Sequence, residues 1–152
     1  MQQTCDLYFP KELDDYSPLQ YLHLYQPDFI YDLKQCYTGY LNVNVRRIAL
    51  VNFVLEFRKR KMQIYNVSVQ YRDRKNLSQD EAFECALKQI NLETQHINKT
   101  CEYNSPVVWH FPLIFLNGDE KAGASISVDK QDGHIWTQDE LEEYLYDFNG
   151  LI

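Results

Sequence analysis

Six acidic side chains, Asp132, Asp139, Glu140, Glu142, Glu143 and Asp147, lie between Gln131 and the carboxy terminus, and no Lys or Arg accompanies them. Carboxylates gathered in this way attract cations, basic proteins and basic clefts, and they repel nucleic acid and anionic membranes. Their spacing adds a geometry. Glu140, Glu143, Tyr144 and Asp147 fall at i, i+3, i+4 and i+7, one side of a helix, and Asp139, Glu142 and Tyr146 extend that side round the exposed arc. These seven residues, with Trp136 just ahead of them, are the candidate partner-binding set, and Trp136, Tyr144 and Tyr146 are its possible aromatic anchors. The plain alternative is a solvated helix face whose early acids suit the helix dipole. That accounts for Asp139 and Glu140 but not for Asp147.

Other reactive side chains form weaker patterns. Cys5, Cys36, Cys85 and Cys101 are scattered with no C-x-x-C pair, so they read as reduced, mainly buried thiols rather than a disulfide framework or a zinc site. His96 with Cys101 and Cys85 could be imagined as metal ligands, but Cys85 sits beside Ala82 and Ala86 on the apolar side of its helix, and a core thiol explains it. A calcium loop at Asp129–Gly133 fails because Lys130 would occupy a ligand position. No glycine-rich phosphate loop and no nucleophile elbow around a Ser is present. The expectation is a protein with no metal, no cofactor and no enzymatic activity; an uncharacterised hydrolase, its residues assembled from distant positions, is a minor alternative.

The charge is unevenly distributed along the whole chain. Residues 1–41 hold six acids against Lys11 and Lys34, a net of −4. Residues 42–76 hold nine bases against Glu56 and Asp73, a net of +7. Residues 77–152 hold fourteen acids against four lysines, a net of −10. Arg58-Lys59-Arg60-Lys61, with Arg46, Arg47, Arg72, Arg74 and Lys75, interleaves with Tyr65 and Tyr71, the raw material of a nucleic-acid interface. The alternative is an intramolecular role opposite the acidic carboxy-terminal third. At 152 residues, 45% apolar and 14% aromatic, with five Gly and five Pro, the chain can fill one core and reads as a single domain, 1–152.

The elements that must position the acids follow from capping and periodicity. Ser17-Pro18 opens a short helix through Tyr25, and Pro27 opens a second, with Phe29, Ile30, Leu33, Cys36 and Tyr37 at helical spacing before Gly39. Leu41, Val43 and Val45 alternate with polar residues as extended chain. Ile48 to Phe57 reads as a strand with Val51, Phe53, Leu55 and Phe57 on one face, the alternative being a helix apolar all round. Tyr65 to Arg72 alternates as a half-buried strand. Ser78 to Glu81 is a capping box opening a helix to about Glu93. Val107–Leu116, Ala122–Asp129 and His134–Trp136 read as strands, with Asn117-Gly118 and Asp132-Gly133 in the turns. Thr137 to Glu140 is a second capping box, opening a helix with the stripe Leu141, Tyr144, Leu145 and Phe148 and a stop at Gly150. The fold class expected is α+β: amino-terminal helices, an antiparallel or mixed sheet and a capped carboxy-terminal helix.

From Leu77 to Trp136 the order of elements resembles a PepSY-like module, a helix followed by an antiparallel meander. Leu77-Ser78-Gln79-Asp80-Glu81-Ala82, the apolar positions Ala86 and Leu87, and Ile126-Ser127-Val128-Asp129-Lys130-Gln131-Asp132-Gly133-His134-Ile135 carry the resemblance. The V-D-x-x-x-G-x-I element also looks like the end of several small immunity proteins that neutralise bacterial polymorphic toxins. PepSY modules are often exported, and the amino terminus lacks the basic start and apolar run of a signal peptide, which favours the immunity branch. No apolar stretch reaches the roughly 20 residues of a membrane helix. The resemblance implies a cytoplasmic immunity protein of bacterial competition, binding and occluding a cognate secreted toxin domain with a basic surface. A nucleic-acid-associated regulator using residues 58–75 is the runner-up; nucleic acid and membrane are not expected partners.

Overall fold

The computed structural model describes residues 3–101, 105–116 and 124–148, with backbone only at 146–148. The fold is α+β, with two antiparallel three-stranded sheets. The chain divides into two compact units, one of residues up to Asp73 with the last helical stretch from Tyr144, the other of Arg74–Glu143.

In the first unit β1 (Thr4–Phe9) lies between β2 (Gly39–Arg46) and β3 (Tyr65–Ser68). Cys5, Asp6 and Leu7 are all fully buried. A strand covered on both faces shows little alternation, and β1 is not among the elements expected from the sequence. Between Cys5 and Leu7 the pairing with β2 slips, from Cys5↔Val45 to Leu7↔Leu41. The Asp6 carboxylate fills the irregularity, with Oδ1 accepting from the Val43 amide at 3.0 Å and the Asn44 amide at 3.2 Å. Asn44 stands at φ 49 there, a left-handed conformation that Asn tolerates. Arg72 Nη1 closes the arrangement on Asp6 Oδ2 at 2.7 Å.

Four expectations for this unit are corrected. Residues 47–59 form a helix, α1 (Arg47–Lys59), not a strand. Its buried stripe is Leu50, Phe53, Val54 and Phe57, at i, i+3, i+4 and i+7, while Ile48 and Leu55 stay exposed. The apolar all-round pattern therefore hides a normal amphipathic face with two apolar residues left outside. Residues 17–24 form a 3-10 helix (Ser17–Leu24) with Tyr16, not Ser17, at its cap. The second helix expected from Pro27 is absent: 27–38 are turns and irregular chain, with Ile30 and Leu33 more than four-fifths exposed. What docks on the core instead is Phe29, Tyr31 and Tyr37. A helical stripe with no surface to cover does not hold a short helix in water. Finally β3 stops at Ser68, and Gln70–Asp73 make a helical turn, α2, that buries Tyr71 and presents Arg72 to Asp6.

The second unit holds α3 (Gln79–Leu87), then the antiparallel sheet β4 (Gln95–Ile97), β5 (Val108–Phe115) and β6 (Ser125–Asp129) in that spatial order. The capping box forms as read: Glu81 N–H donates to Ser78 Oγ and Ser78 N–H to Glu81 Oε2. The helix ends at Leu87 rather than Glu93, because the chain turns and Asn91 Oδ1 accepts the Glu93 amide. Ala82 and Ala86, both fully buried, let α3 lie close to Phe111 and Val128 on the sheet, with Phe83 edge-on to Phe111 at 5.5 Å. β4 was not foreseen; three residues are too few to show a period. His134–Trp136 makes only an isolated bridge, Val128↔Ile135. Asn117-Gly118, Ala122 and Gly150 lie outside the described residues.

Candidate functional site

The acidic helix is built by a tight turn ahead of it. After β6 the chain reverses through Asp129 to His134, with Gly133 N–H donating to Asp129 O at 3.0 Å and Asp129 N–H to His134 O at 2.9 Å. Gly133 supplies φ +77 and leaves room that a Cβ would lack, since that atom would meet Cys85 Sγ at 2.8 Å. Asp129 is buried. Its Oδ1 accepts the Gln131 amide at 2.7 Å and its Oδ2 the Trp136 indole N–H at 2.9 Å. One residue later Thr137 opens α4 (Gln138–Phe148) through the second capping box: Thr137 N–H donates to Glu140 Oε2 at 2.6 Å and Glu140 N–H to Thr137 Oγ1 at 3.2 Å. The sequence reading of this helix start is correct to the residue.

On α4, Asp139, Glu140, Glu142 and Glu143 are all exposed. Glu142 accepts from Gln138 Nε2 at 3.0 Å. Among the described residues Asp139, Glu142 and Glu143 form no ion pair with Lys or Arg. Tyr144 is half-buried against the core of the first unit, and Leu145 is partly exposed. Tyr146 and Asp147 lie outside the described side chains. Trp136 is half-buried, held by Asp129 and stacked on the His134 ring with planes 7° apart and centroids at 6.1 Å. It is a wall of the turn rather than a projecting anchor.

Sequence reasoning missed His134. The acidic segment does have a local basic group: His134 Nδ1 lies 2.7 Å from Asp132 Oδ1, and Nε2 lies 3.5 Å from Glu140 Oε1. Partial burial alone would lower the affinity of this ring for a proton. The Asp132 hydrogen bond and charge, with Asp129 and Glu140 behind them, outweigh it and hold the imidazolium above its ordinary range. Asp132 is held low in return, the His134 amide and ring outweighing its own burial. Asp129, Asp132 and His134 place one ligand-type atom each within 4.8 Å of one another, but the Asp132 and His134 side chains are already hydrogen-bonded to each other, and the Asp129 carboxylate is taken up by the Gln131 amide and the Trp136 indole. The available signal was the spacing Asp132-x-His134, which lets a carboxylate receive both the amide and the ring of the residue two along.

No family model, curated protein or solved structure matches this chain.

The other candidate constellations fall elsewhere. Among the described residues, the ion pairs of the basic stretch at 58–72 are with acids of the first unit. Arg60 pairs with Asp15 at 3.0 Å, Lys59 with Glu56 at 2.9 Å, and Arg72 with both Asp6 and Asp73. Arg58 is half-buried over the Tyr65 ring, and Tyr65 and Tyr71 are both buried, so neither offers a face to a base. Cys85 and Cys101 are half-buried beside the α3 core, and Gln79 Nε2 reaches Cys101 Sγ at 3.9 Å. Ser127 Oγ meets His110 Nδ1 at 2.8 Å across β5 and β6, but Ser127 is buried and its hydroxyl is not presented to a substrate. Lys130 is buried over the Trp109 ring at 4.3 Å and donates to the Ser105 carbonyl, and burial lowers its affinity for a proton. No described helix is long and apolar enough to cross a membrane.

Proposed function

We propose that this chain is a binding protein of the immunity type, which occludes a basic surface of a cognate toxin domain with the acidic face of α4. One observation carries the reading. Lys59, Arg60 and Arg72 are paired with acids of the first unit, while Asp139, Glu142 and Glu143 stand exposed with no Lys or Arg ion pair among the described residues. Exposed like charges on one helix face repel one another and are stabilised when a cationic surface arrives. Such a contact speeds encounter and weakens steeply with salt, because the screening length falls to about 8 Å at physiological ionic strength. Its location would be the cytoplasm of the cell that the toxin would otherwise damage.

The test is a pull-down from source-cell lysate at low and at high salt, with Glu142→Lys/Glu143→Lys alongside the unaltered chain. Both positions are exposed and neither belongs to the capping box, so the helix stays intact. A basic toxin-like partner captured at low salt and lost by the double variant supports the reading. A partner held equally by both proteins removes α4 from the interface and overturns it.

A further inference from the structure

His134 stands between two carboxylates that belong to different pieces of the second unit. Asp132, in the turn, accepts from the His134 amide at 3.0 Å and lies 2.7 Å from Nδ1, both through Oδ1. An ionised carboxylate only accepts, so Nδ1 must carry a hydrogen and donate. That fixes the tautomer. In the neutral ring the remaining nitrogen, Nε2, would then present a lone pair to Glu140 Oε1 at 3.5 Å. Glu140 is an acceptor too, since its other oxygen takes the Thr137 amide. Two acceptors face each other unless a proton lies between them.

We propose that His134 is a proton-operated clasp: a proton on Nε2 ties the 129–134 turn to Glu140 at the start of α4, and a cationic partner competes with that proton for the Glu140 carboxylate. The groups facing the ring are Asp129 from β6, Asp132 from the turn and Glu140 from α4, all three negative, and Trp136 covers one face. None of them can neutralise Glu140 except through the ring. With the proton on, His134 and Glu140 together carry no net charge; with it off, Glu140 adds one negative charge to the exposed acids of the helix. The folded ring binds its proton more tightly than an unfolded histidine. The clasp is therefore fully closed below the ordinary histidine range and opens as pH rises through the raised folded value. By reciprocity, a bound cation that draws on Glu140 weakens the hold on the proton and releases it. The second half of this inference rests on the reading of α4 as the binding surface; the first does not.

The experiment is a pH titration of the free protein labelled with 15N in its histidines, with chelator present throughout. The expected result is a neutral ring hydrogenated at Nδ1, titration at Nε2 with a midpoint above that of a histidine in an unfolded chain, and a lower midpoint in Glu140→Gln. Glu142→Gln, whose carboxylate does not face the ring, should leave the midpoint where it was. A neutral ring hydrogenated at Nε2, or a midpoint unmoved by Glu140→Gln, overturns the clasp. Repeating the titration with a lysine decapeptide at low salt tests the competition. Peptide that binds and lowers the His134 midpoint supports it. Peptide that binds with no change in the midpoint overturns the competition and leaves the binding surface standing, whereas peptide that does not bind at all counts against the surface itself.

Discussion

Replacing Gly133 by Ala probes the turn on which the site depends, and its effect can be worked out from the geometry. An alanine held at φ +77 costs about 1–2 kcal/mol, as a side chain in the left-handed region does. Its smaller unfolded-state entropy returns roughly 0.4–1 kcal/mol. The new Cβ also meets Cys85 Sγ at 2.8 Å and Leu77 Cδ1 at 3.0 Å. The leucine methyl is the end of a flexible chain and can move. The thiol sits on α3 against the core and has less freedom, so crowding adds about 1–3 kcal/mol. The sum is a loss of about 1–5 kcal/mol. Cys85→Ala removes the sulfur but leaves its Cβ, which would lie 3.7 Å from the new atom, an ordinary contact. In the double variant the crowding disappears and only the backbone cost remains, so the two substitutions should be non-additive by about 1–3 kcal/mol. Urea unfolding followed by tryptophan fluorescence measures this directly, because both tryptophans, Trp109 and Trp136, lie in the second unit. Strict additivity would falsify the steric argument and assign the whole cost to φ.

Two further outcomes test the first unit. Asp6→Ala leaves the Val43 and Asn44 amides without their buried acceptor and takes from Arg72 one of its two carboxylate partners; the expected loss is about 3–5 kcal/mol by urea unfolding followed by circular dichroism, and a change below 1 kcal/mol would refute the role given to the carboxylate. Phe57→Ala should cost about 3–5 kcal/mol and Leu55→Ala less than about 0.5, since the first is fully buried on α1 and the second is partly exposed; equal effects would restore the strand that put both on one face.

The parts of this fold legible in the sequence are those whose cause lies within a few residues. Both capping boxes, at Ser78 and Thr137, were read correctly because a hydroxyl and a carboxylate three apart satisfy each other's amides whatever surrounds them. The alternation at Leu41, Val43 and Val45 also marked a strand correctly. The failures share a different cause. Whether Ile48–Phe57 coils depends on which surface receives Leu50, Phe53, Val54 and Phe57, and that surface includes Cys5, Leu7 and Phe9 of β1 and Leu19 and Leu22 of the 3-10 helix, all distant in sequence. The stripe after Pro27 had no such surface and stayed irregular. At the site the acids of α4 were evident from their spacing, but the role of His134 was not. It depends on Glu140 returning to within 3.5 Å of the ring after a bridge and a helix start, which no short window displays. Likewise, the basic stretch could be counted in the sequence, while its partners Asp6 and Asp15 are reached only through folding.

The slipped register of β2 has a consequence for how this protein can meet another chain. β2 and β3 are the outer strands of the first sheet, and an outer strand with free amides invites a further strand to pair with it. Here one edge is bent at Asn42–Asn44, where the Val43 and Asn44 amides turn inward to Asp6, and the other edge is four residues long and runs into α2. Neither offers a straight ladder of main-chain donors and acceptors. Strand addition, the route by which many sheets recruit peptides or stack into fibres, is disfavoured on both sides of this sheet, which leaves side chains as the better route of association there.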